Sequence, residues 1–155
     1  MTKEITPEKV YESLSVKGDY EEANIDFDEI AKSFSMTKED YEYGKVLRKA
    51  KEKNWRVIFN IHYDVLRELS DQLMIFKKQK ISNHQGLFAF IILNFKELDF
   101  DWKFFESVRT LRNRNKYEGA DVTIEAWKSI ELQIDLYINT LTKEIDKRLK
   151  NQSTK

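Results

Sequence analysis

Thr123-Ile-Glu-Ala-Trp127-Lys-Ser-Ile130-Glu-Leu-Gln-Ile134-Asp-Leu-Tyr-Ile138-Asn-Thr-Leu141-Thr-Lys-Glu-Ile145-Asp-Lys-Arg-Leu149 decides the fold. Trp127, Ile130, Ile134, Ile138, Leu141, Ile145 and Leu149 recur every three or four residues, which draws one apolar stripe along a helix. Thr123 reads as the N-cap of that helix. Upstream, Leu47, Ala50, Asn54, Ile58, Ile61, Val65, Leu69 and Leu73 keep the same spacing. They predict a helix of about 35 to 40 residues, opened by the capping-box-like Thr37-x-x-Asp40 and running to Lys78, with a bend near Gly44 or Asn54. Ser82 is the expected cap of a helix through Leu93, and its nearly unbroken apolar run from Leu87 onward predicts deep burial. Asp99 or Asp101 starts a further helix that stops at Gly119, glycine being the usual residue just past a helix end.

Two short helices are expected before these. Thr6 and Pro7 form a cap and first-turn pair, with Val10 and Leu14 on one side and Lys17-Gly18-Asp19 as the stop. Asp26 caps a second, from Phe27 to Phe34. No strand-like alternation, internal repeat or low-complexity linker is visible. The expectation is an all-α, up-down bundle of four core helices with one or two short amino-terminal additions. Its parts are an acidic helical arm (1–43), the bundle (44–150) and a disordered tail (151–155).

The 155 residues suit one domain, and 41% hydrophobic content with 20 aromatic residues supplies a core. One proline and four glycines argue against a turn-rich β fold, and the lack of cysteine excludes disulfides and thiolate metal sites. No signal-like or membrane-length apolar run occurs, so a soluble, cytoplasmic protein is expected. A net charge of zero conceals an asymmetry. Residues 1–43 hold 5 Lys/Arg and 12 Asp/Glu, a net of −7, and residues 44–155 hold 22 and 15, a net of +7. The acidic arm either lies over the basic body, weakening non-specific RNA binding, or is a solvated appendage.

The segment Arg109-Thr-Leu-Arg112-Asn113-Arg114-Asn115-Lys116-Tyr117-Glu118-Gly119 carries the chemistry. At about 100° per residue, Arg109, Arg112, Asn113 and Lys116 share one helix face, flanked by Tyr117, while Phe104, Val108 and Leu111 take the other. Guanidinium, amide, ammonium and phenol groups without an interrupting carboxylate suit a phosphate, hence RNA or a nucleotide. Solvated charge near a helix carboxyl end is the alternative. A second basic run, Lys45, Arg48, Lys49, Lys51, Lys53 and Arg56 around Trp55, suits single-stranded RNA or, again, a solvated helix surface.

Arg112-Asn113, three residues and then Tyr117 resembles the signature of the HEPN superfamily. These small helical domains carry an Arg on the last-but-one core helix, often followed by Asn, with a His about four to six residues on. A branch of small stand-alone bacterial and archaeal members is similar to this chain in an Arg-x-x-x-x-Tyr pattern. Lys80-Ile-Ser82-Asn83-His84-Gln85-Gly86 resembles a helix start found upstream in that branch, and Val122-Thr123-Ile-Glu125-Ala126-Trp127 resembles the start of its last helix. The likeness covers roughly Asn54 to Glu144 and leaves out the first 43 residues.

The resemblance implies a homodimer in which two motif helices line a shared cleft for RNA or nucleotide phosphate. It implies metal-free, cofactor-free cleavage in which a ribose 2′-hydroxyl attacks phosphorus and leaves a cyclic phosphate, in toxin–antitoxin, RNA-processing or defence roles. Arg112, Asn113 and Tyr117 would be the catalytic set, and Arg109, Lys116 and His84 would contact RNA or phosphate. Tyr117 stands where the family has His, and a phenol with a reference pKa of about 10 is a poor substitute for an imidazole at about 6.5. Losing such a group typically costs ~10²–10⁴ in rate, so a weak nuclease is implied, unless Arg109, Arg112 and Lys116 favour the phenolate. The other implied role is a non-catalytic module that pairs with a minimal nucleotidyltransferase or an antitoxin.

Each residue also has an ordinary structural use. Arg112 could pair with Asp64 or Glu68, Asn113 could bond backbone near the helix end, and Tyr117 could simply pack. His84, at the first turn of a buried helix, could be a structural hydrogen bonder, as could the lone His62. Two separated histidines without a carboxylate at ligand spacing give no metal site.

Overall fold

Among the described residues six α-helices carry the fold: α1 (Pro7–Val16), α2 (Phe27–Arg48), α3 (Trp55–Ile75), α4 (His84–Asn94), α5 (Trp102–Glu118) and α6 (Ile124–Ser153). The computed structural model describes residues 4–153. Side chains placed just before each helix satisfy first-turn N–H groups and so fix where it starts. Thr6 accepts from Lys9 at 3.2 Å, Asp26 from Glu29 at 3.1 Å and Asn54 from Val57 at 3.1 Å. Asn83 accepts from Gly86 at 2.8 Å, Asp101 from Lys103 at 3.0 Å and Thr123 from Ala126 at 3.0 Å.

The long helix expected from Thr37 to Lys78 is two helices. Asn54, counted among the apolar periodic positions, is a cap, and the expected bend is a full break over residues 49–54. Thr37 caps nothing. It lies buried in the middle of α2, where its hydroxyl donates to the Ser33 carbonyl at 2.9 Å and lies 3.1 Å from the Glu68 carboxylate. The second short helix therefore extends from Phe27 through Arg48, and the expected boundary between arm and bundle, between residues 43 and 44, falls inside it. Asn83, not Ser82, starts α4. Asn151 to Ser153 continue α6 where a frayed tail was expected, and Thr154, Lys155 and the first three residues lie outside the described part.

The stripe on α6 becomes the spine of the core. Trp127, Ile134, Ile138, Leu141 and Ile145 are fully buried with Ile58, Phe59, Tyr63, Leu66, Leu69 and Leu73 of α3. Leu87 to Ile91 of α4 and Phe104, Phe105 and Val108 of α5 complete it, with the Phe88 and Phe105 rings stacked at 4.6 Å. Val10 and Leu14 of α1 and Phe34 and Tyr41 of α2 belong to the same cluster, so the acidic segment is part of the core. Gly86 makes that possible: a Cβ there would sit 2.5 Å from Leu14 and 2.7 Å from Ile81. The Tyr20 hydroxyl also donates to the Gly86 carbonyl at 2.7 Å. Two two-residue strands, β1 (Glu21–Glu22) and β2 (Gln79–Lys80), pair antiparallel with Glu21 opposite Lys80. They are too short to leave an alternating pattern. No helix among the described residues is long and apolar enough to cross a membrane.

Candidate nucleic-acid interface

Helix α5 is anchored by Phe104, Phe105 and Val108, and this orientation leaves its later turns free on the side facing the start of α4. Gly119 ends it at φ 69, a left-handed conformation that costs glycine little, and its N–H returns to the Arg114 carbonyl. Between the first turn of α4 and these later turns of α5 lies an open groove of about 320 Å³. His84, Gln85, Arg109, Arg112, Asn113 and Tyr117 line it. Five of the six residues singled out from sequence therefore meet, although His84 lies 28 positions before Arg112. Lys116 stands outside the lining, close enough for its charge to act on His84.

The cations are not equivalent. Arg109 is held by Glu106 one turn earlier, Nε to Oε1 and Nη2 to Oε2, both at 3.1 Å. Glu106 also accepts from the Gln85 amide at 3.1 and 3.3 Å, which ties α5 to α4 under the groove. Arg67 of α3 is matched by Asp71 at 2.8 Å. Arg112 has no such partner. Among the described residues no carboxylate lies within ion-pair distance of it, Asp64 and Glu68 included. Its guanidinium carbon lies 5.6 Å from the centroid of the Tyr63 ring. A half-buried guanidinium over an aromatic face with unused donors has the chemistry to accept an anion.

His84 marks the other side. Its Nδ1 lies 2.9 Å from the Tyr63 hydroxyl. Burial keeps the Tyr63 phenol protonated well above its ordinary range, against the Arg112, Arg109 and Arg67 charges, which favour the phenolate. That buried hydroxyl has one acceptor at hand, so we assign the proton to Tyr63, Nδ1 as acceptor and Nε2 as the N–H of a neutral imidazole. Burial first, then Arg112, Arg67, Lys116 and Arg109, push the His84 pKa down to about 4. An incoming phosphate opposes the charge part of that shift. The Asn113 side chain makes no hydrogen bond with any described residue, so its amide remains available in the groove. Tyr117 sits at the rim, 72% exposed, with the Lys116 ammonium 5.8 Å from its ring. Tyr117 is not packed, which removes the reading of it as a core residue.

Tyr63, Gln85 and Glu106 shape the groove yet were not picked out from sequence. Glu106 had a signal, since it lies three residues before Arg109 on the same helix. Tyr63 and Gln85 had none beyond their helices. The second basic run divides in two. Lys45 pairs with Glu42 at 2.8 Å. Arg48 is drawn inward, donating from Nε to His62 at 3.1 Å and from Nη1 to Asp135 at 2.7 Å, so it does not belong to a basic surface. Lys49, Lys51, Lys53 and Arg56 remain outside, beside Trp55. Among the described residues no group of three or more His, Asp or Glu is placed to hold a metal. No known protein family, characterised protein or solved structure matches this chain.

Proposed function

We propose that the α4–α5 groove binds RNA through its phosphates, with the chain working as a homodimer as the HEPN resemblance implies. The observation that carries this reading is Arg112: a cation over the Tyr63 ring, with donors that nothing among the described residues occupies. In this reading Arg112 takes the phosphate, Arg109 adds charge behind it, and the Nε2–H of His84 and the amide of Asn113 supply directional hydrogen bonds. Tyr117, exposed at the rim, contacts the strand by stacking or through its hydroxyl.

Cleavage, in this reading, is slow. Attack by a 2′-hydroxyl calls for a group that exchanges protons near neutral pH. His84, held near 4, is a weak base and is not an acid at pH 7. The test is binding of single-stranded RNA at several salt concentrations, with cleavage followed in EDTA. Wild-type protein should bind with a salt-dependent affinity, and Arg112→Ala should weaken binding on the order of tenfold and lower the salt slope by about one. Equal binding by both proteins rejects the groove. Attention then moves to the second reading, an interaction module for a nucleotidyltransferase or antitoxin, which the exposed Tyr117 ring supports.

A further inference from the structure

The cations left outside the core at the start of α3 form a second surface. Lys49, Lys51, Lys53 and Arg56 stand against a single carboxylate of that segment, Glu52, and none of the four makes an ion pair among the described residues. Trp55 lies in their midst, half-buried, with the ammonium groups of Lys53 and Lys128 5.8 and 6.0 Å from its ring. Beside it runs an open groove of about 570 Å³, with Lys53, Trp55 and Arg56 on one wall and Asn115, Gly119 and Asp121 on the other. The Asp121 carboxylate accepts the Val122 N–H at 2.9 Å, so part of its charge is spent on its own wall. Nothing lies within 4 Å of where a Gly119 Cβ would be, which keeps that wall low.

This groove and the Arg112 groove flank the same end of α5. Asn115 joins them to one frame, accepting from Asn60 at 3.1 Å and donating to the Ala120 carbonyl at 2.8 Å. Along α3 the order is Trp55, Asn60, Tyr63, and Tyr63 is the ring beneath Arg112. Eight residues of helix separate Trp55 from Tyr63, about 12 Å at ~1.5 Å per residue. A short run of nucleotides covers that span.

Resting on the RNA reading of the Arg112 groove, we propose that Trp55 is the base-stacking platform of the same site. Lys53 and Arg56 hold the backbone on either side, so that one single strand runs from Arg112 past the end of α5 to Trp55. Cations with an aromatic ring among them are how proteins hold single strands without reading sequence, because every base offers a π-face while the charges follow the phosphates. The ligand class is therefore single-stranded RNA of mixed sequence. A duplex keeps its bases stacked on each other and has none to offer the ring.

The experiment uses the full chain and a labelled mixed-sequence single-stranded RNA of about ten nucleotides, within the ~4–16 nucleotides that one single-strand-binding fold typically covers. Trp55→Ala should weaken binding on the order of tenfold, with Trp55→Phe retaining most of the affinity. Tryptophan emission should be quenched on titration of the wild type and unchanged in Trp55→Phe, where Trp102 and Trp127 remain. Arg56→Ala, at an exposed side chain, should lower the salt slope by about one and keeps the test open if Trp55→Ala does not fold. Wild-type affinity and no quenching difference in the Trp55 variants, with Arg112→Ala still weakened, overturn the platform and leave the groove reading intact. No binding by the wild type overturns both.

Discussion

Two clusters in this protein are built from the same parts and end up as opposites. In each, an arginine lies over an aromatic ring beside a histidine: Arg48 over Trp127 at 5.1 Å with His62, and Arg112 over Tyr63 at 5.6 Å with His84. In each, burial is the main reason the histidine falls to a pKa of about 4. The difference is one carboxylate. Asp135 accepts both Nη groups of Arg48 and the Tyr41 hydroxyl, while Arg48 Nε donates to His62 Nε2. With Nε2 accepting, His62 Nδ1 carries the proton and donates to the Ile58 carbonyl at 2.7 Å. Every strong group in that cluster is matched within the chain, and the result is a joint between α2, α3 and α6. Around Arg112 the corresponding anion is missing among the described residues. An inside-out copy of the joint has the chemistry that the proposed phosphate site needs.

Breaking the closed cluster should therefore cost stability, and breaking the open one should cost binding. Asp135→Ala leaves the Arg48 guanidinium partly buried without its anion. Roughly 3 kcal/mol is expected, the low end for stranding a buried charge, because both side chains keep some contact with water. Urea unfolding of Asp135→Ala beside Arg112→Ala checks the contrast. Arg112→Ala should change stability by less than about 1 kcal/mol, as is usual for an exposed or unpaired position. A large loss in Arg112→Ala would make that cluster structural as well.

The next effect is a slope. His62 is fully buried and neutral, with its pKa lowered from 6.5 to about 4, chiefly by burial. Between those values the unfolded chain binds the proton and the folded chain does not. The contribution is thus complete above pH 6.5 and is lost as pH falls toward 4, about 3 kcal/mol in all. Burial raises Asp71 to about 6, which acts in the opposite direction over much of the same window. Asp71 and His84 are present in both proteins when wild type is compared with His62→Gln, so their terms cancel in the difference. The stability gap between the two should shrink from pH 7 to pH 4, and a constant gap would refute neutral burial of His62.

These clusters also show where sequence stops being informative. The stripes on α3 and α6 were legible because burying a helix face imposes a period that chemistry alone does not. Thr6, Asp26 and Thr123 were legible as caps because capping is a local bond between residues three apart. Thr37 misled for the same reason. It has the composition of a cap, yet its hydroxyl is used within α2 and against α3, and only the fold places Glu68 and Gln72 beside it. Arg48 reads as one more surface cation until Asp135, 87 residues on, is brought to it. The groove residues Arg109, Arg112, Asn113 and Tyr117 shared a helix and could be grouped by angle. That Arg112 lacks a carboxylate is a statement about every other helix, and no local pattern contains it.

The open cluster can be closed by a single atom change. Asn113→Asp keeps size and shape and sets a carboxylate in the groove, four residues from Arg109 and alongside Arg112. It should leave the fold unchanged within about 0.5 kcal/mol, as surface substitutions usually do. RNA affinity should fall on the order of tenfold at low salt, since the added charge meets the phosphate and occupies its cations. Undiminished affinity would place the RNA elsewhere on the molecule.

The smallest change separates contact from chemistry at Tyr117. Removing its hydroxyl in Tyr117→Phe keeps the ring, and at 72% exposure the lost hydrogen bond competes with water. Affinity should shift by no more than about threefold, the low end of what one hydrogen bond contributes. A proton-transfer role predicts something different: unchanged affinity with a cleavage rate in EDTA lower by ~10² or more. Equal loss in both quantities, or in neither, makes Tyr117 a surface that the strand touches. Loss in the rate alone would mean that the exposed phenol does the work of an imidazole, and that the open cluster around Arg112 holds a reacting phosphate as well as a bound one.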